Sequence, residues 1–120
     1  ILPGAGVALQ DESIRLLSDK DSDLSISKKI AYAILSCALL SPMTQIFKNA
    51  GLTTDSVGSE KVGGSMGYNV KTGKYGDLYK MGVIDPVKVT RTALQNAVSV
   101  AVTMLSTDAI VTMARTYEAQ

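Results

Sequence analysis

The dipeptide Asp85-Pro86 and the long apolar-periodic stretch behind it constrain this fold more than any other feature. Proline lacks a backbone N–H and has a fixed φ, so it is disruptive inside a helix but suited to its first turn. An Asp carboxylate just before it can accept the free N–H groups at a helix start. Val87, Leu94, Ala97, Val98, Ala101, Met104 and Leu105 then fall mostly on one broad face of a helical repeat. The spacing therefore predicts a long helix with Asp85 as N-cap and Pro86 as its first residue. A helix with one apolar face has to pack on something. With 46% hydrophobic residues but only 5% aromatic ones, the core must be built from Ala, Val, Leu, Ile and Met. That composition favours close helix packing, and 120 residues suffice for one domain with a modest core.

The rest of the chain is read in the same way. Val7, Leu9, Ile14, Leu16 and Leu17 predict a short helix over 7–17, followed by a polar loop from Ser18 to Asp23. Ile26, Ile30, Ala33, Ile34, Cys37 and Ala38 recur at helical spacing behind a Ser25 or Ser27 cap. Pro42 biases Ser41 away from the helical region, so the pattern predicts a break there. A new helix restarts at Pro42, carries Met43, Ile46 and Phe47, and stops at Gly51. Asp55 to Val62 reads as a turn of helix. Gly67-Tyr68-Asn69-Val70 and Tyr75-Gly76-Asp77-Leu78 read as two strands of a small hairpin around a Gly73-containing turn. Leu78 to Met81 forms one helical turn closed by Gly82. Ala109 to Thr112 reads as an edge strand, and Ala114 to Gln120 as a loose tail. The expected fold is mainly α, with a small β-hairpin and a short C-terminal strand. No internal repeat or dividing linker is visible.

Several function classes lose their chemistry at this level. The chain has no His, so the commonest general base and metal ligand are missing. Its one cysteine, Cys37, rules out an intrachain disulfide framework; within an apolar run it reads as a small buried hydrophobe. No metal site is expected. A net charge of +1 gives no electrostatic case for nucleic acid or an anionic membrane. Lys61, Lys71, Lys74, Lys80, Lys88 and Arg91, with Tyr68, Tyr75 and Tyr79, form a locally basic region, but the composition of the whole chain argues against a nucleic-acid surface there. Thr72-Gly73-Lys74-Tyr75 is not a phosphate loop: Tyr68 stands where the first glycine belongs, and Tyr75 replaces the Ser or Thr. The apolar run Ile30–Leu40 is far short of the roughly 20 residues a bilayer needs. The start at Ile1-Leu2, without an initiator Met or a signal-peptide pattern, suggests a piece of something longer.

Three blocks, in order, resemble one family. They are Pro3-Gly4-Ala5-Gly6-Val7-Ala8-Leu9, Gly67-Tyr68-Asn69, and the long run Gly82-Val83-Ile84-Asp85-Pro86-Val87-Lys88-Val89-Thr90-Arg91 with Ala93-Leu94-Gln95-Asn96-Ala97 and Ser99-Val100-Ala101. Ser41-Pro42 and Lys48-Asn49-Ala50-Gly51 are shorter echoes between them. Together they resemble the group I chaperonins, over the stretch that returns to the equatorial, ATP-binding domain after the apical domain. The likeness runs to about Thr112.

The resemblance implies that residues 1–120 are the C-terminal segment of such an equatorial domain, multihelical, with the hairpin stem near a subunit contact. It implies ATP as the ligand, its adenosine end held by the Gly4-Ala5-Gly6 backbone, by Asn69 with Val70 and Lys71, and by Asp85. Glycines let backbone approach a ligand closely, Asn carries both a donor and an acceptor, and a carboxylate can accept ribose hydroxyl hydrogens. The family's phosphate loop, magnesium-binding carboxylate and water-positioning Asp lie upstream of this stretch. No catalytic residue is therefore expected here, magnesium would be held by other residues, and the 120 residues alone should not hydrolyse ATP. Robust turnover by the purified chain, abolished by Asp85→Ala, would overturn this. The sequence departs from the family pattern where Ala5 replaces a glycine and where Val70 and Lys71 replace alanines. Implied partners are other subunits in a ring, a co-chaperonin, and unfolded clients held by the apical domain. Implied compartments are the bacterial cytoplasm, the mitochondrial matrix or the plastid stroma. A truncated, structural chaperonin-like subunit without ATPase activity is the alternative.

Overall fold

A computed structural model describes residues 1–18, 25–53 and 62–108. The elements in chain order are β1 (Leu2–Pro3), α1 (Val7–Ser18), α2 (Ile26–Asn49), β2 (Met66–Asn69), β3 (Lys74–Asp77), β4 (Ile84–Asp85) and α3 (Val87–Leu105). The chain is mainly helical with two small antiparallel sheets, β1 with β4 and β2 with β3. It divides into two compact units, Ile1–Val87 and Lys88–Gln120.

In the first unit, α1 packs against α2. The buried positions of α2 are Ser36, Leu39, Met43 and Phe47, a spacing that keeps one stripe facing inward. Val7, Gln10 and Ser13 face inward from α1. Where the helices meet, the Ser13 hydroxyl lies 2.7 Å from that of Ser36 and donates to the Ser36 carbonyl at 3.0 Å. Two small polar residues thus let the backbones approach, and their hydroxyls satisfy each other. The core cluster is Val7, Met43, Phe47, Val62 and Leu78, with Tyr68, Val70, Tyr75 and Val83 among the half-buried residues packed on it.

Helix α2 differs from the sequence expectation. It runs unbroken through Pro42, where two helices were expected. Proline forfeits one backbone hydrogen bond and crowds the preceding turn, but Met43 and Phe47, directly beyond it, are core residues. A break at Pro42 would carry them off the stripe that Ser36 and Leu39 begin. Continuity also makes α2 long and apolar enough, by length and composition alone, to cross a bilayer; its inward stripe and its packing on α1 make it the core helix of this unit. Cys37, expected to be buried, is exposed, because it stands one residue around the helix from inward-facing Ser36. The helix does end at Gly51, as expected. Gly51 takes φ +72°, its N–H bonds to the Lys48 carbonyl, and the Leu52 N–H bonds to the Phe47 carbonyl at 2.9 Å. This is a Schellman closure, completed by Leu52 packing on the cluster that contains Phe47.

The hairpin forms as the alternation predicts. Met66 pairs with Asp77, Gly67 with Gly76, Tyr68 with Tyr75, and Asn69 with Lys74. Tyr68 sits between Phe47 and Tyr75 with edge-on rings at 6.2 and 5.2 Å. Beyond β3, Asp77 Oδ1 accepts the Tyr79 N–H at 3.0 Å, and the Val83 N–H reaches the Leu78 carbonyl across Gly82. The expected single turn closed by Gly82 is thereby built.

Helix α3, which supplies the described helix of the second unit from Lys88 onward, begins at Val87, one residue later than Asp85 as cap and Pro86 as first residue would require. Asp85 is instead the last residue of β4, paired with Leu2. At its end, Ser106 Oγ and Thr107 Oγ1 donate back to the Val102 and Thr103 carbonyls. The loop expected over 19–23, most of the turn over 55–62, the strand over 109–112 and the tail over 114–120 lie outside the described residues.

Candidate functional site

The Gly4-Ala5-Gly6 turn is built by its two neighbours. β1 pairs antiparallel with β4, Leu2 opposite Asp85 and Pro3 opposite Ile84. The pairing continues as the Gly4 N–H donates to the Val83 carbonyl at 2.9 Å. The chain then reverses, and the Gly4 and Gly6 carbonyls accept the first N–H groups of α1, from Val7 and Gln10. Ala5 takes φ +55° and Gly6 φ +79°. A Cβ on Gly4 would lie 3.1 Å from the Val83 backbone, and one on Gly6 would lie 3.0 Å from the Met43 backbone and Cβ. Both glycines are thus already required by packing, before any ligand is considered. Ala5 is the one non-glycine with positive φ among the described residues. This arrangement sets the half-buried Asp85 one strand away from the turn.

Asn69, Val70 and Lys71 stand elsewhere, at the tip of the β2–β3 hairpin. Asn69 Oδ1 accepts the Lys71 N–H at 3.0 Å and the Thr72 N–H at 3.3 Å. Its backbone carbonyl accepts the N–H of Gly73 at 2.9 Å, and Gly73 takes φ +67°. This is an Asx turn, the use of Asn that local chemistry favours at a loop. Val70 packs on the core cluster, as do Val83, just before β4, and Val7, just after Gly6, is part of it. The structure therefore brings Gly4, Ala5, Gly6 and Asp85 together through one strand pair. It ties the hairpin tip to them through a shared core and not through direct bonds.

A half-buried carboxylate such as that of Asp85 can accept paired hydroxyl hydrogens. The Asn69 amide retains its donor nitrogen, while its oxygen is engaged within the turn. Lys71 is exposed. Next to this tip, Tyr75 has its phenol pKa raised above 10.0, by burial first and by the Tyr68 phenol second.

Two residues of the first unit were missed by reading the sequence. Asp11 anchors α1 to the segment leading into β2, its Oδ2 accepting the Gly64 N–H at 2.9 Å. Together with Leu2, Pro3, Arg15 and Tyr79 it lines a groove of about 630 Å³, which none of the sequence-expected ligand residues lines. Gln10 is buried, donates weakly to the Val62 carbonyl at 3.5 Å, and leaves its Oε1 unpaired among the described residues. Both belong to the polar run Gln10-Asp11-Glu12, which interrupts an apolar helix; that interruption was the available signal.

A family model described as the TCP-1/cpn60 chaperonin family matches residues 1–115. Among solved structures, the fold is similar to the open-state monomer of a group II chaperonin from Methanococcoides burtonii, with a TM-score of 0.76 and 27% identity. The match covers 88% of this chain and 28% of that one; the chain spans less than a third of the relative it resembles.

Proposed function

This chain belongs to the TCP-1/cpn60 chaperonin family, and we propose that it is the C-terminal segment of the equatorial domain of a group I subunit. The similar solved structure is a group II chaperonin. The group I assignment rests on the block Gly82 to Arg91 with its continuation to Ala101. In this reading the chain is part of an ATP-dependent protein-folding machine, contributing adenosine contacts and ring packing. Clients, a co-chaperonin and neighbouring subunits are met by the assembled ring, in the bacterial cytoplasm, the mitochondrial matrix or the plastid stroma.

The observation that carries the ligand reading is the β1–β4 pair, which sets Asp85 opposite Leu2 on the strand that runs into the Gly4-Ala5-Gly6 turn. Asp85 would accept the ribose hydroxyls, and Ala5 would offer its backbone. Asn69, Val70 and Lys71 would bound the base. ATP itself supplies the phosphoryl chemistry when bound. The phosphate end and its magnesium ion would be held by residues outside these 120. Calorimetry of ATP on the whole subunit tests this. Asp85→Ala should lower affinity about tenfold or more, the scale of a lost charged hydrogen bond; unchanged affinity would remove Asp85 from the site.

One feature favours the alternative of a structural subunit without ATPase activity. Ala5 places a methyl where the family has a glycine, and Val70 and Lys71 replace small alanines. A subunit of wild-type sequence that forms rings yet binds no ATP would establish that alternative.

A further inference from the structure

We draw no further inference here: the strongest candidate, the groove between β1 and α1 lined by Leu2, Pro3, Asp11, Arg15 and Tyr79, carries none, because Asp11 already accepts the Gly64 N–H, Glu12 is already paired with Arg15, and nothing in the structure shows what fills it.

Discussion

Ala5 holds a left-handed backbone at φ +55°, where a Cβ crowds the following carbonyl and costs about 1–2 kcal/mol. The residue flanks Gly6, whose own φ is +79°, so the turn needs glycine-like geometry at two successive positions and has glycine at only one. Ala5→Gly should therefore stabilise the fold by about 1 kcal/mol in urea denaturation, the relieved strain exceeding the added chain entropy. Gly6→Ala should do the opposite and more strongly, because its Cβ would meet the Met43 backbone at 3.0 Å. The sequence marks these positions as glycines but not what presses on them. Val83 and Met43 lie far along the chain, so a packing glycine and a ligand glycine read alike until the fold is known. Asn69 is similar: its type suits a turn or a base edge, and only the bonds from Lys71 and Thr72 decide which one its oxygen serves. Tyr75 adds a pH dependence at this scale. Its pKa is raised above 10.0 by burial and then by Tyr68, so the unfolded chain releases this proton first. The contribution is fully present below pH 10, the unfolded value, and is lost as pH rises through the higher folded value. Denaturation followed across this alkaline range should show stability falling with pH, and Tyr75→Phe should shallow that fall.

Helix α2 shows where an element's own signals conflict. Pro42 argues for a break and the Ser36-Leu39-Met43-Phe47 stripe argues for continuity; the buried stripe wins. The core contacts of Met43 and Phe47 outweigh one forfeited backbone bond. Pro42→Ala, at an exposed position, restores that N–H and removes the ring. It should stabilise the chain by about 1–3 kcal/mol, measured by chemical denaturation. The α1–α2 contact is more exacting. Ser13 and Ser36 are both about 2% exposed and bonded only across the helix crossing. Ser13→Ala should cost about 1 kcal/mol for the hydrogen bonds, while Ser13→Leu should cost about 3 kcal/mol or more by forcing the helices apart. Elements with a strong local period, α1, α3 and the hairpin, are legible in the sequence. β1 and β4 are not, since two-residue strands carry no alternation and exist only because the chain ends of this unit meet. Their pairing also explains why α3 starts after Pro86: Asp85 is held opposite Leu2.

At the scale of the whole molecule, the function proposed above gives the first unit half of a ligand site. Its residues are those proposed for the sugar and base end of a nucleotide, and they include a single cation, Lys71. Phosphoryl transfer is catalysed mainly by positioning and by cationic stabilisation of the transferring group, so the missing end must come from other residues if ATP is to be turned over. The similar solved structure matches this chain over only 28% of its own length. The native subunit should accordingly have an intact mass several times the 12.6 kDa of this chain. Mass spectrometry of the purified native subunit checks this directly. A large subunit whose ATP turnover is lost on Asp85→Ala joins the two half-sites into one working site. A subunit near 12.6 kDa that still enters rings would instead make this chain a structural member of them, with the strained Ala5 and the Val70-Lys71 pair as marks of a site released from nucleotide.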